Sequence, residues 1–178
     1  DKKELKVYQK GTGAAVAAVV YHNDFDKELA VKGSDGWKTY LDSFDGWKNE
    51  TGSGISTVEY AFSGMSARTN SSGTSNSQYS DYSGSGKNYL WFAKDNYFHV
   101  KNITLPEGKT NYTISFGSER NLYQAADNTF VPEEFLVYVS NDGSKWVKLE
   151  YAFPTGLKNR RWDLASSTFT VPSGTKSL

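Results

Sequence analysis

The sequence predicts an all-β protein, specifically an antiparallel β-sandwich. Short apolar stretches alternate with polar residues at a period of two, which is typical of half-buried strands. Turn-forming residues separate these stretches at roughly the 8–12-residue spacing that is common in sandwiches. Aromatic residues make up 15 % of the 178-residue chain and favour strands over helices. No segment with helical periodicity is longer than a turn or two.

The clearest pair of strands is a hairpin over residues 134–151. One face of the hairpin is apolar in both arms. Its members are Phe135, Val137, Val139, Val147, Leu149 and Tyr151. Between the arms, Asp142-Gly143 supplies the positive φ that a tight turn requires. Two strands are not stable alone in water, so the hairpin predicts a larger antiparallel sheet.

The other predicted strands are short and are bounded by Gly, Pro, Asn or Asp. In chain order they span residues 14–21, 56–62, 64–68, 88–93, 97–103, 111–116, 162–164 and 168–171. Residues 1–13 are charged and then Gly-rich, which predicts an N-terminal extension, a linker or an edge strand. The sandwich domain is therefore expected over residues 14–178. The tract 70–87 is rich in Ser, Gly and Asn and predicts a surface loop.

Composition excludes several classes of function. The chain has 20 Lys plus Arg and 20 Asp plus Glu, whereas proteins that bind nucleic acids usually carry a basic excess, so we expect no nucleic-acid partner. The absence of cysteine excludes disulfides, thiolate zinc sites and cysteine nucleophiles. The longest apolar run, 14–21, is too short to span a bilayer and lacks the flanks of a signal peptide. We therefore expect that this chain does not insert into a membrane and that it contains no export signal.

No catalytic motif is recognisable, and the sequence predicts a protein that is not an enzyme. The two histidines, His22 and His99, lack the spacing of metal ligands, and structural roles are expected for both. The adjacent carboxylates Glu133 and Glu134 are expected on opposite faces of a strand. A glycosidase needs two carboxylates that face each other across the substrate, so this pair does not fit that chemistry.

The order of several short motifs resembles a known family. In chain order they are Asn-Asp-Phe-Asp at 23–26, a long Trp-bearing connection at 32–54, Gly-Ser-Gly-Lys-Asn-Tyr-Leu-Trp-Phe at 84–92, Val-Ser-Asn-Asp-Gly-Ser-Lys-Trp at 139–146, and Phe-Thr-Val-Pro-Ser-Gly-Thr at 169–175. Over residues 17–178 the chain is similar to the galactose-binding-like jelly-roll module of Bacteroidetes surface lipoproteins. It is more distantly similar to discoidin-type and carbohydrate-binding jelly rolls.

The resemblance implies a jelly-roll sandwich that is extracellular or on the outer-membrane surface. In such modules the turn at 172–175 is followed by two more strands. We therefore expect either a fragment that lacks its last hairpin or a second chain that completes the sheet. The resemblance also implies a structural calcium ion, for which Asn23, Asp24 and Asp26 offer oxygen ligands. A solvated turn is the alternative interpretation of these three residues.

These observations predict a non-catalytic carbohydrate-binding or adhesive module of a secreted or cell-surface bacterial protein. The alternative is a structural or protein-interaction domain that docks a neighbouring domain or chain. Sugar CH groups stack on aromatic rings, and polar side chains bond the hydroxyls. Loop residues of both kinds are the candidate ligand-binding residues: Trp37, Trp47, Arg120, Tyr123, Arg160 and Trp162. A structural role is the alternative for each, and for the two loop tryptophans that role is a plug at one end of the sandwich.

Overall fold

The computed structural model describes residues 5–9, 17–30, 39–69, 88–120, 126–153 and 162–178. Twelve strands lie in these residues. They are β1 (Leu5–Gln9), β2 (Val19–Asn23), β3 (Thr39–Tyr40), β4 (Glu50–Thr51), β5 (Glu59–Phe62), β6 (Ser66–Thr69), β7 (Asn88–Trp91), β8 (Phe98–Lys101), β9 (Asn111–Ser118), β10 (Val137–Val139), β11 (Val147–Leu149) and β12 (Asp163–Thr170). Short 3₁₀ turns span Asp45–Trp47 and Pro132–Glu134. The predicted all-β class is confirmed, and none of the described segments is a helix long and apolar enough to cross a membrane.

The strands form one large and three small antiparallel sheets. The large sheet has the order β12-β9-β1-β2-β4, and a three-stranded sheet has the order β3-β6-β7. The pairs β5–β8 and β10–β11 form two-stranded sheets. β12 pairs with β9 over its whole length, from Asp163 opposite Ser118 to Thr170 opposite Asn111.

The first strand lies inside the large sheet and not at its edge. In β1, Lys6 is opposite His22 of β2 on one side and opposite Ser115 of β9 on the other. The edge-strand and linker expectations are therefore wrong for residues 5–9, whereas residues 1–4 and 10–13 lie outside the described part. Side-chain alternation reports which face a residue lies on, but it does not report how many neighbours the strand has.

The predicted strands at 56–62, 64–68, 88–93, 97–103 and 111–116 correspond to β5 to β9 and are confirmed. The two pieces predicted at 162–164 and 168–171 form the single strand β12. β3 and β4 were not predicted, because a two-residue strand has no periodicity to detect. Glu133 and Glu134 lie in a 3₁₀ turn and not in a strand, since Pro132 begins that turn with its restricted φ.

Two core clusters lie between the sheets. One is formed by buried residues of the large sheet and its connections, and Tyr60 of β5 and Val100 of β8 pack against it. The other has Trp47 and Leu41 at its centre and packs against the same β5–β8 pair. The large and the three-stranded sheets thus share the β5–β8 pair as a packing partner, which gives the layered core of a sandwich. The jelly-roll connectivity stays a prediction.

The predicted strands of the 134–151 hairpin pair with each other, with Val137 opposite Leu149 and Val139 opposite Val147. Gly143 has φ +71°, as the turn requires. The hairpin packs on the body of the protein through Phe135, whose ring contacts those of Phe92 and Phe116 and others nearby. Its predicted apolar face is only partly covered, because Leu149 is buried whereas Val147 is 61 % exposed.

The turn predicted at 172–175 is confirmed, and the residues after it pair with the segment that follows β8. The backbone N–H of Ile103 donates to Leu178 O at 2.9 Å, and the N–H of Leu178 donates to Ile103 O at 3.0 Å. Thr104 and Ser177, the adjacent residues, form an antiparallel bridge. Residues 176–178 therefore contribute strand-like pairing to the fold.

Candidate functional site

The predicted ligand-binding residues do not come together as one site. Trp37, Tyr123 and Arg160 lie outside the described residues. Trp47, Arg120 and Trp162 are described, and each contacts a different set of partners.

Trp47 belongs to the core. Its side chain is 0 % exposed, and its Nε1–H donates to Leu41 O at 3.2 Å. The rings of Tyr60, Phe62 and Phe98 pack edge-on against it, with centroids 4.7, 5.7 and 5.6 Å away. The ligand-platform interpretation of Trp47 is wrong, because no ring face is open to a sugar. Its complete burial gives Trp47 the structural role that was the alternative.

Arg120 connects the end of β9 to the loop before the hairpin. Its Nε donates to Glu134 Oε2 at 2.9 Å and its Nη2 to Glu134 Oε1 at 3.1 Å, which is a bidentate ion pair. Its Nη1 donates to Thr129 O at 3.3 Å. Every nitrogen of the guanidinium is used within the protein, and this gives Arg120 a structural role.

The residues of the predicted calcium site form a hydrogen-bonded turn. Asn23 Oδ1 accepts the backbone N–H groups of Phe25 at 2.8 Å and Asn49 at 3.3 Å. Asp24 Oδ1 accepts the N–H of Asp26 at 3.0 Å and the Nδ2–H of Asn49 at 2.7 Å. These oxygens satisfy N–H donors, as the turn alternative requires. The described residues contain no group of three or more His, Cys, Asp or Glu that could hold a metal ion.

Asn88 holds this turn against the three-stranded sheet. Its backbone N–H donates to Asp26 Oδ1 at 2.7 Å, and its Nδ2 donates to Phe25 O at 2.6 Å and to Glu28 O at 2.7 Å. Its Oδ1 accepts the N–H of Ala30 at 3.0 Å. Phe25 has φ +63°, a conformation that is unfavourable for a bulky residue. The bonds around Asn88 keep Phe25 in that conformation.

A different group of residues has the features of a ligand site. In the three-stranded sheet Ala67 of β6 is opposite Leu90 of β7, and both pack into the core. Successive residues of a strand point to opposite faces, so Arg68, Tyr89 and Trp91 lie on the outer face of this sheet. Arg68 is directly opposite Tyr89, and Trp91 is its diagonal neighbour.

Trp162, which directly precedes β12, packs on the same outer face. Its ring contacts the ring of Tyr89 at 5.8 Å between centroids and an interplanar angle of 67°. The guanidinium carbon of Arg68 lies 3.8 Å from the centroid of the Trp91 ring, a close cation–π contact. All four residues are partly exposed. We call them the Arg68 cluster: Arg68, Tyr89, Trp91 and Trp162.

Two N–H donors of the cluster have no acceptor among the described residues. Nε of Arg68 and Nε1 of Trp162 are buried and form no hydrogen bond. Such a group costs about 1–3 kcal/mol when it remains unpaired. Burial lowers the pKa of the Arg68 guanidinium, and the nearby Tyr89 partly opposes this effect. The guanidinium nevertheless remains protonated at physiological pH.

Of the three predicted site residues that the structure describes, Trp162 alone lies in this cluster. The alternation of Tyr89, Leu90 and Trp91 already indicates that two aromatic rings share one face of a strand. The register that places Arg68 beside them depends on the pairing of β6 with β7, which are separated in the chain by residues 70–87. A local pattern could not have identified that pairing.

Searches of protein families, curated proteins and solved structures find no match to this chain.

Proposed function

We propose that the protein is a non-catalytic carbohydrate-binding module and that the Arg68 cluster is its ligand site. One observation carries this proposal: three partly exposed aromatic rings and a guanidinium lie together on the outer face of a sheet. The partly exposed rings offer stacking surfaces to the CH groups of a pyranose.

The setting of this function rests on the sequence resemblance. We propose a secreted or cell-surface bacterial protein, because the motif order is similar to that of surface lipoprotein modules. The strand-borne position of the cluster supports a binding role, since strands hold side chains more rigidly than loops do.

A second candidate function is a domain that docks another protein. The observation that favours it is the hairpin, where Leu136, Tyr138, Trp146 and Val147 are 46–61 % exposed. Exposed aromatic and aliphatic side chains in one region are typical of protein interfaces. This surface contains none of the Arg68 cluster, so the two functions can be tested separately.

The first experiment is a glycan array, followed by isothermal titration calorimetry with each glycan that binds. We expect Trp91→Ala and Trp162→Ala to weaken binding at least tenfold, which corresponds to about 1.4 kcal/mol. Trp146→Ala is the matched control, because it removes an exposed tryptophan of the hairpin, and we expect it to leave affinity unchanged.

Loss of binding in Trp146→Ala but not in Trp162→Ala would place the site on the hairpin and contradict the proposed location. Wild-type protein that binds no glycan would contradict carbohydrate binding itself. In that case the hairpin interface becomes the better-supported function.

A further inference from the structure

We infer that two copies of this chain associate through the edge of β12 that faces away from β9, so that their large sheets become continuous across a two-fold axis. The contact consists of residues 167–170 of each copy, which run antiparallel to each other. The inference goes beyond the proposed carbohydrate function and does not depend on it, because no residue of the Arg68 cluster lies in this segment.

β12 forms one edge of the large sheet and lacks the features that commonly protect an edge strand. It pairs with β9 in an uninterrupted register over eight residues, and its only charged residue is Asp163 at the start. Edge strands in proteins that stay monomeric are usually short, charged, bulged or interrupted by proline. The opposite edge of the sheet fits that description, since β4 has two residues and one of them is Glu50.

The backbone groups of two threonines are available for pairing at the edge of β12. Ser166 exchanges two backbone hydrogen bonds with Ala152, each 2.9 Å long, so its N–H and C=O point away from β9. This orientation recurs at every second residue of an antiparallel strand, and Thr168 and Thr170 therefore direct their N–H and C=O to the same side. Both threonines are exposed, and neither has a backbone partner on this side among the described residues.

The limits of this segment allow one self-complementary register. Ser166 is already paired before it, and Pro172 after it has no N–H to donate. A two-fold axis at Phe169 places Thr168 opposite Thr170 of the second copy, and the reverse pair follows by symmetry. Each pair exchanges two N–H···O bonds, so the outward N–H and C=O of both threonines are used. An axis at Thr168 or at Thr170 would instead require Ser166 or Pro172 as a partner.

The same register brings compatible side chains together. Phe169 packs on the core side against Tyr112, with ring centroids 6.0 Å apart, and it is partly exposed. Residues opposite each other without backbone hydrogen bonds have the closest side chains, so the two Phe169 rings would lie side by side and leave water. On the other face, Thr168 would lie beside Thr170 of the second copy, which is a favourable cross-strand pair. Residues 164–171 carry no charge that would repel the second copy.

Sedimentation equilibrium of the full chain between about 1 μM and 1 mM tests the association. We expect the weight-average mass to rise with concentration from 19.8 kDa towards twice that value. Hydrogen exchange then locates the contact. The amides of Thr168 and Thr170 should exchange more slowly in the concentrated sample, whereas the amide of Ser166 should be unchanged because Ala152 already pairs with it.

Two pairs of charged substitutions test the register. Thr168→Lys combined with Thr170→Lys places like charges directly opposite each other and should raise the dissociation constant of the dimer at least about tenfold. Thr168→Lys combined with Thr170→Glu places opposite charges in the same positions and should restore association. Asp42→Lys is the control, because it changes the net charge as much as the double lysine variant does and lies on an exposed turn after β3. Circular dichroism verifies that each variant is folded.

A mass that stays at 19.8 kDa up to about 1 mM would overturn the inference. A dimer that the double lysine variant leaves intact, or that the lysine–glutamate variant does not restore, would contradict this register. Equal weakening by Asp42→Lys would show a general charge effect and would also overturn the role of β12. None of these outcomes affects the proposed carbohydrate function, which glycan binding tests separately.

Discussion

Trp47 and Trp162 both contact aromatic rings, but they differ in whether the indole N–H has a hydrogen-bond acceptor. Trp47 is fully buried, and its Nε1–H donates to Leu41 O. Trp162 is partly exposed, and its Nε1–H has no acceptor. The two arginines that the structure describes differ in the same way, because Arg120 is paired with Glu134 whereas the Nε of Arg68 has no acceptor among the described residues.

This difference distinguishes side chains that stabilise the core from side chains that are candidates for ligand binding. A buried polar group is normally hydrogen-bonded within the protein, and an unpaired one requires an explanation. On the core side of the three-stranded sheet, the polar groups of Trp47 and Asn88 are satisfied. On its outer side, two enclosed donors have no acceptor among the described residues.

The largest effect is expected when the two tryptophans are truncated in turn. Trp47→Ala removes a fully buried ring and leaves a cavity, so it should lower the free energy of unfolding by about 3–5 kcal/mol. Trp162→Ala should cost about half of that or less, because its ring is partly exposed and its donor is already unpaired. Urea unfolding monitored by circular dichroism measures both. Equal losses would remove the distinction between the two clusters.

A smaller effect is expected when the two arginines are replaced by methionine, which keeps an apolar stem of similar length. Arg68→Met should change the free energy of unfolding by no more than about 0.5 kcal/mol, since it removes an unpaired donor and retains packing on Trp91. Arg120→Met should cost roughly 1 kcal/mol, because the partly exposed pair with Glu134 is lost. The same unfolding assay measures these changes. A larger loss for Arg68 than for Arg120 would show that Arg68 has a structural role.

The smallest effect is expected at Asp142, a carboxylate that accepts backbone hydrogen bonds in the hairpin turn. Asp142 Oδ1 accepts the N–H groups of Lys145 at 2.7 Å and Ser144 at 2.8 Å. The backbone hydrogen bonds from these residues are the main cause that lowers the pKa of Asp142 to about 2. The folded-state pKa lies below the unfolded value of about 3.9, so its stabilising contribution is present above about pH 4 and is lost as the pH falls towards 2.

As the pH falls from about 4 to 2, Asp142→Asn should therefore lose less stability than the wild type does. Thermal unfolding at half-unit steps over this range measures the slope. Ser173→Ala, in the exposed turn after β12, is a control that removes no charge and should retain the wild-type slope. An identical slope in Asp142→Asn would show that the turn bonds do not depend on the charge of Asp142.

Local patterns in the sequence predicted much of the fold because side-chain alternation and turn geometry depend on residues that are close in the chain. Alternation located β5 to β9, and the Asp142-Gly143 turn located the hairpin. Pattern reasoning failed where the outcome depended on distant partners. β1 is an interior strand because β2 and β9 both pair with it, and neither pairing leaves a trace within residues 5–9.

The candidate site depended even more on distant partners. Trp47 and Trp162 were equivalent candidates in the sequence, since both are tryptophans in polar surroundings. Their burial differs because the rings of β5 and β8 enclose Trp47, whereas Trp162 packs on the outer face of β7. The sequence indicated that aromatic residues were important but could not indicate which of them face outward.

By itself, the sequence determined the all-β class, the hairpin and most strand positions, because steric alternation and turn geometry act over a few residues. The tertiary structure decided which strands are neighbours, which oxygens of Asn23 and Asp24 accept turn donors, and which donors lack acceptors. Those outcomes require groups that are remote in the chain to meet. The Arg68 cluster is such an outcome, since β6, β7 and the start of β12 must assemble before its four side chains share one surface.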